Sequence, residues 1–95
     1  MKAKVNLEIQ VEQPSAEKLK ELGVSSWPIW GCEPSAFPWH YGEQETCYLL
    51  EGKVKVGAKD SEVEFGKGDL VVFPQGLDCT WTVLEKVKKH YRFGG

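Results

Sequence analysis

The chain has 95 residues, of which 41% are hydrophobic, 12% aromatic and 27% charged, with a formal net charge of -2. That length leaves no room for a second domain with its own core, and the composition excludes the low-hydrophobicity, high-charge regime of disordered chains. The slight acidity gives no broad positive field, so nucleic-acid and membrane partners are not expected, and small molecules or proteins are the candidates.

Residues 4 to 11 alternate strictly and place Val5, Leu7, Ile9 and Val11 on one face, which predicts a half-buried strand. Next, Ser15 stands as an N-cap before Ala16 to Leu22, and Gly23 stands as a stop, which predicts about two helical turns with Leu19 and Leu22 on one side. From Trp27 onward the pattern changes to short β segments separated by turn residues. Trp27 to Trp30, Phe37 to Tyr41, Thr46 to Leu50 and Lys53 to Ala58 read as strands, with turns at Pro34-Ser35, Gly42-Glu43 and Glu51-Gly52. Lys59-Asp60 predicts a hairpin turn into Ser61 to Phe65. Leu70 to Phe73 is nearly all apolar, as for a strand covered on both faces, and Thr80 to Val87 and Lys89 to Phe93 supply two closing strands. Gly52, Gly68 and Gly76 suit turn positions with positive φ. Lys86, Lys88, Lys89, His90 and Arg92 read as the solvated face and end of the last strand.

No apolar run approaches the roughly 18 residues that span a bilayer, and Met1 to Gln13 lacks the apolar core of a signal peptide. Cys32, Cys47 and Cys79 form no close CxxC pair, which suits reduced thiols better than a disulfide scaffold. Together these features predict a cytoplasmic protein.

Two stretches resemble the paired motifs of the cupin family. In the first, His40 precedes Glu45, and six residues separate Glu45 from Gly52. In the second, Gly68, Pro74 and Gly76 lead to Cys79, which stands where the family usually carries histidine. Trp27-Pro28-Ile29-Trp30, Glu45-Thr46-Cys47-Tyr48, Phe73-Pro74-Gln75-Gly76 and Cys79-Thr80-Trp81 extend the likeness over nearly the whole chain. In these the chain is similar to the small single-domain cupins grouped with ureidoglycine aminohydrolase. The resemblance implies an all-β jelly-roll barrel with one short N-terminal helix, a single domain over residues 1 to 95.

A metal-binding cupin gathers histidines and a carboxylate around one divalent ion. Carried onto this sequence, that implies His40, Glu45 and Cys79 as metal ligands, with Glu45 also the candidate catalytic acid or base. The first histidine position is Pro38, which has no donor, and Cys79 is a soft ligand where imidazole would suit manganese or iron. Strand parity predicts that if Glu45 points inward then so do Cys47 and Leu49, and if Cys79 does then so do Trp81 and Val83. His40, Glu45, Cys47 and Cys79 would then form a polar pocket beside Trp81, in a barrel whose cavity is shallow and open at one end. Blander readings stand beside these: Glu45 bonded to His40, Tyr41 or Tyr48; the thiols as apolar filler; Trp27, Trp30 and Trp39 as a cover over an open barrel end.

Three functions follow as expectations. The first is binding of a small polar metabolite or a divalent metal in the barrel mouth. The second is metal-dependent hydrolysis of a small ureide-like nitrogen compound, with Glu45 as acid, base or ligand. The third is a non-catalytic interaction module whose aromatic surface meets a protein partner or a second copy, forming a homodimer.

Overall fold

A computed structural model describes residues 8 to 59 and 61 to 94. Strand β1 covers Gln10–Glu12, helix α1 Ala16–Leu22, β2 Ile29–Cys32, β3 Ser35–His40, β4 Glu45–Ala58, β5 Glu62–Gly66, β6 Leu70–Phe73 and β7 Asp78–Phe93. Val5 and Leu7 of the expected first strand, and Asp60 of the expected hairpin turn, lie outside the described residues. Ile9 is buried as its parity predicts, whereas Val11 is 41% exposed.

The helix forms where its caps place it. The Ser15 hydroxyl accepts the Lys18 N–H at 3.1 Å, and Gly23 ends the helix with φ 70°, a left-handed conformation that favours glycine. The seven strands form one antiparallel sheet in the order β1-β6-β4-β7-β2, with β3 also pairing β7 and β5 also pairing β4. Two long strands organise it. β4 has 14 residues and β7 has 16, and they pair with each other along most of their length. On its other side β4 is covered first by β6 and then by β5, and β7 first by β3 and then by β2.

This arrangement corrects the expected turn at Glu51-Gly52, which is a bulge inside a single strand. Glu45, Cys47 and Leu49 face the interior, but beyond the bulge the inward set becomes Val54 and Val56, a change from odd to even positions. The register against β7 shifts between Leu49 and Val54 to absorb the extra residue. Gly52 makes this possible: its φ is 97°, and a Cβ there would collide with the Lys86 carbonyl oxygen. The two closing strands are likewise one, since β7 runs unbroken from Asp78 to Phe93.

The sheet folds over a core in which Cys47, Leu49, Val54, Val71 and Phe73 are fully buried around Trp81. Phe37 stacks on the Trp81 ring, Trp30 and Phe65 meet it edge on, and Phe73 lies tilted at 5.5 Å. One indole therefore fills much of the barrel, as expected for a structure this small.

Candidate functional site

Glu45 opens β4 between Phe73 of β6 and Phe93 of β7, and its side chain points inward. Along β7, the alternate residues Val83, Glu85, Val87, Lys89, Tyr91 and Phe93 share one parity. All but two are apolar or aromatic, and of those two Glu85 is exposed. The other, Lys89, reaches Glu45: its Nζ lies 2.7 Å from Oε2, with the lysine side chain 6% and the glutamate side chain 4% exposed. The other carboxylate oxygen, Oε1, accepts the Tyr41 hydroxyl at 2.8 Å, and that hydroxyl accepts Trp81 Nε1–H at 3.2 Å.

Each member is held from behind. The Tyr41 backbone N–H donates to the Leu77 carbonyl and its carbonyl accepts from Gly76, while its ring stacks on Phe73 at 4.8 Å. The Lys89 ammonium stands over two indoles, 4.5 Å from the Trp81 ring centre and 5.0 Å from that of Trp30. Among the described residues no buried side-chain polar atom lacks a hydrogen-bond partner. This satisfies the requirement that a charge taken out of water be paired.

Above the pair lies a cavity of about 250 Å³. Glu45, Lys89 and Tyr41 form its polar floor, and Trp30, Phe37 and Tyr91 contribute its walls. Trp39 and Phe93 also line it, and because they are 47% and 44% exposed they mark its rim. The site is thus a short aromatic funnel ending on an ion pair. Burial, reinforced by the Glu45 carboxylate, drives the Tyr41 phenol far above its ordinary range, so it acts there as a fixed donor.

Glu45 and Cys79 both face the interior, and Cys47, Leu49, Trp81 and Val83 follow the expected parity. His40 does not join them. It lies on the outer parity of β3, where its Nδ1 is 2.7 Å from Asp78 and the two side chains are 61% and 83% exposed. Burial pushes the Cys47 thiol up to about 12 and the Cys79 thiol up to about 11, so neither is a thiolate near neutral pH. All three cysteines are free.

The divalent ion implied by the cupin motifs finds no fitting donor set. Among the described residues no three His, Cys, Asp or Glu side chains are grouped to hold one. Glu45, the single motif ligand at the cavity floor, already has an ammonium on one oxygen and a phenol on the other. Lys89 and Tyr41 are the residues that motif reasoning missed. The expectation that Lys89 is solvated with the other basic residues of the last strand is corrected by its burial. A partial signal existed: Lys89 shares parity with Val87, Tyr91 and Phe93, whereas Lys86 and Lys88 do not, although the exposed Glu85 shares it too.

The family model for the EutQ-like cupin domain matches residues 19 to 91. The structure of a DUF861 family protein from Thermotoga maritima is 55% identical and superposes with a TM-score of 0.89, over 90% of this chain and 99% of that one. A DUF861 protein of unknown function from Pseudomonas syringae is 28% identical over 68% of this chain and 28% of its own, with a TM-score of 0.63. The Clostridium difficile EutQ protein, 18% identical, shares the fold with a TM-score of 0.65 over 70% of this chain and 52% of its own. No curated protein matches the sequence.

Proposed function

This chain belongs to the EutQ-like cupin family, and we propose that it binds a small, flat, polar organic molecule in the mouth of its barrel. The observation that carries this reading is the aromatic funnel closed by the buried Glu45–Lys89 pair. Ligand sites are typically concave and apolar with a few placed polar groups, and aromatic walls favour a planar guest. At about 250 Å³ the cavity falls below the roughly 300–1,000 Å³ of drug-sized sites, so the ligand is small. Because the two floor charges cancel, a net-neutral ligand loses least on entering, and a charged edge must pair with one of the two floor groups.

A fragment screen observed through tryptophan indole N–H signals tests this reading. Hits are expected to shift the signals of Trp30, Trp39 and Trp81 together. A screen without hits, or with hits that leave these three unmoved, overturns it.

A hydrolytic reading, with Glu45 as acid or base toward a small nitrogen compound, draws on the same carboxylate at the cavity floor. Its finer likeness to ureidoglycine aminohydrolase rests on sequence motifs alone, and a metal-dependent form lacks grouped donors among the described residues. Binding is therefore the better supported reading. Turnover of a screened hit, lost in Glu45→Gln, would reverse that order.

A further inference from the structure

Resting on that reading, we propose that the Lys89 ammonium takes the place of a divalent ion in this barrel and anchors an acceptor oxygen of the ligand, a carboxylate or carbonyl. The argument starts from position. Lys89 Nζ lines the cavity, touches the one motif carboxylate that faces it, and brings a positive charge to the floor of the funnel. A metal ion bound at Glu45 would have to displace this ammonium or stand against its charge. His40, the second ligand implied by the motifs, is turned outward to Asp78 and adds no donor there.

The hydrogen-bond capacity of the floor points the same way. Trp81 has spent its single donor on Tyr41, and Tyr41 has spent its own on Glu45. Lys89 has three N–H groups and gives one to Glu45, while its remaining polar surface faces the Trp30 and Trp81 rings. At the floor the spare donors thus belong to Lys89, so a molecule that reaches it meets a cation offering hydrogen bonds. Aromatic rings bind only weakly in exchange, and a charge-assisted bond to oxygen is stronger. A metal-free cupin mouth of this kind does with an ammonium what a bound ion does electrostatically: it attracts and orients an oxygen.

The opposite preference is physically available, which makes the claim testable. Aromatic walls around a carboxylate would also suit a cationic guest, if Glu45 rather than Lys89 governed recognition. Three probes of nearly equal size separate these cases: benzoate, benzamide and benzylamine, titrated against tryptophan fluorescence. Benzoate and benzamide are expected to bind, with benzylamine at least tenfold weaker. Lys89→Met should weaken benzoate at least tenfold, and the Glu45→Gln, Lys89→Met double variant, which removes both charges together, reports the same loss if the single variant does not fold. Benzoate affinity should be unchanged by dialysis against EDTA or by added manganese or zinc. Equal or stronger binding of benzylamine, benzoate binding retained without Lys89, or dependence on metal overturns the proposal while leaving a ligand in the mouth. Failure of all three probes to bind overturns it as well, and if the fragment screen is also empty, the binding reading falls with it.

Discussion

At the scale of single residues, the energetic weight of the site lies in two side chains that need each other. Removing one member of a buried ion pair leaves the other charge desolvated and alone, a loss of about 3–5 kcal/mol, whereas replacing both with uncharged groups of similar volume is often neutral or stabilising. Glu45→Gln and Lys89→Met are each expected to lower the unfolding free energy by that order in urea titrations, and the double variant by much less. Two near-neutral single variants would mean that the pair is open to water. His40→Ala should change stability by less than about 1 kcal/mol, because its contact with Asp78 is exposed. Trp81→Ala should cost roughly 3–5 kcal/mol, since the ring is 2% exposed and touches four other aromatics. The inward carboxylate was legible from the motif spacing, and its tyrosine partner stood among the alternatives that spacing left open. The lysine was not legible, because charge is ordinarily a sign of solvent and the parity of β7 alone does not single it out: Glu85 shares that parity and is exposed. The same parity argument on β3, where Phe37 and Trp39 line the cavity, would have turned His40 outward.

At the scale of elements, the bulge in β4 decides which residues reach the site. Without an extra residue near Gly52, the strand could not present Glu45, Cys47 and Leu49 at one end and Val54 and Val56 at the other to the same interior. Gly52 and Gly68 both have strongly positive φ, 97° and 90°, but their surroundings differ. At Gly52 a new methyl group meets the backbone of Lys86 and Val87, while at Gly68 it meets nothing within 4 Å. Gly68→Ala is expected to cost only the conformational term, roughly 1–2 kcal/mol. Gly52→Ala should cost clearly more and shift the melting temperature further, and equal shifts for the two variants would show that the β4–β7 contact yields. The helix with its Ser15 and Gly23 caps, the hairpin partners and the covered strand β6 were readable because their signals are local. A turn and a bulge share the same local signal, glycine beside a polar residue. Only the distant partner β7, which continues past the site, distinguishes them.

At the scale of the whole molecule, the cupin architecture was legible because alternation, turn spacing and two motifs agree over most of the chain. The chemistry of its mouth was less so, because Glu45 and Lys89 lie 44 residues apart and meet only when β4 and β7 pair. The same closure hides titratable groups whose ionisation then opposes folding. Burial first, then nearby carboxylates, holds the Cys79 thiol at about 11 against 9.0 for a free thiol; burial likewise holds Cys47 at about 12, and Tyr41 is raised as well. Above pH 9 the unfolded chain releases these protons while the folded chain keeps them, so the folded state binds more protons and stability must fall as pH rises. Below pH 9 both states hold them and these groups add no slope. The unfolding free energy is therefore expected to decline from pH 9 toward pH 11, by an amount on the order of 1–3 kcal/mol from Cys79 alone. Cys79→Ala should flatten part of that decline, and thiol labelling at pH 8 should reach the half-buried Cys32 well before Cys47 or Cys79. A stability curve that stays level through pH 11, or rapid labelling of all three cysteines in the native protein, would show that the barrel interior is open to water, and the dry floor on which the Glu45–Lys89 pair depends would not exist.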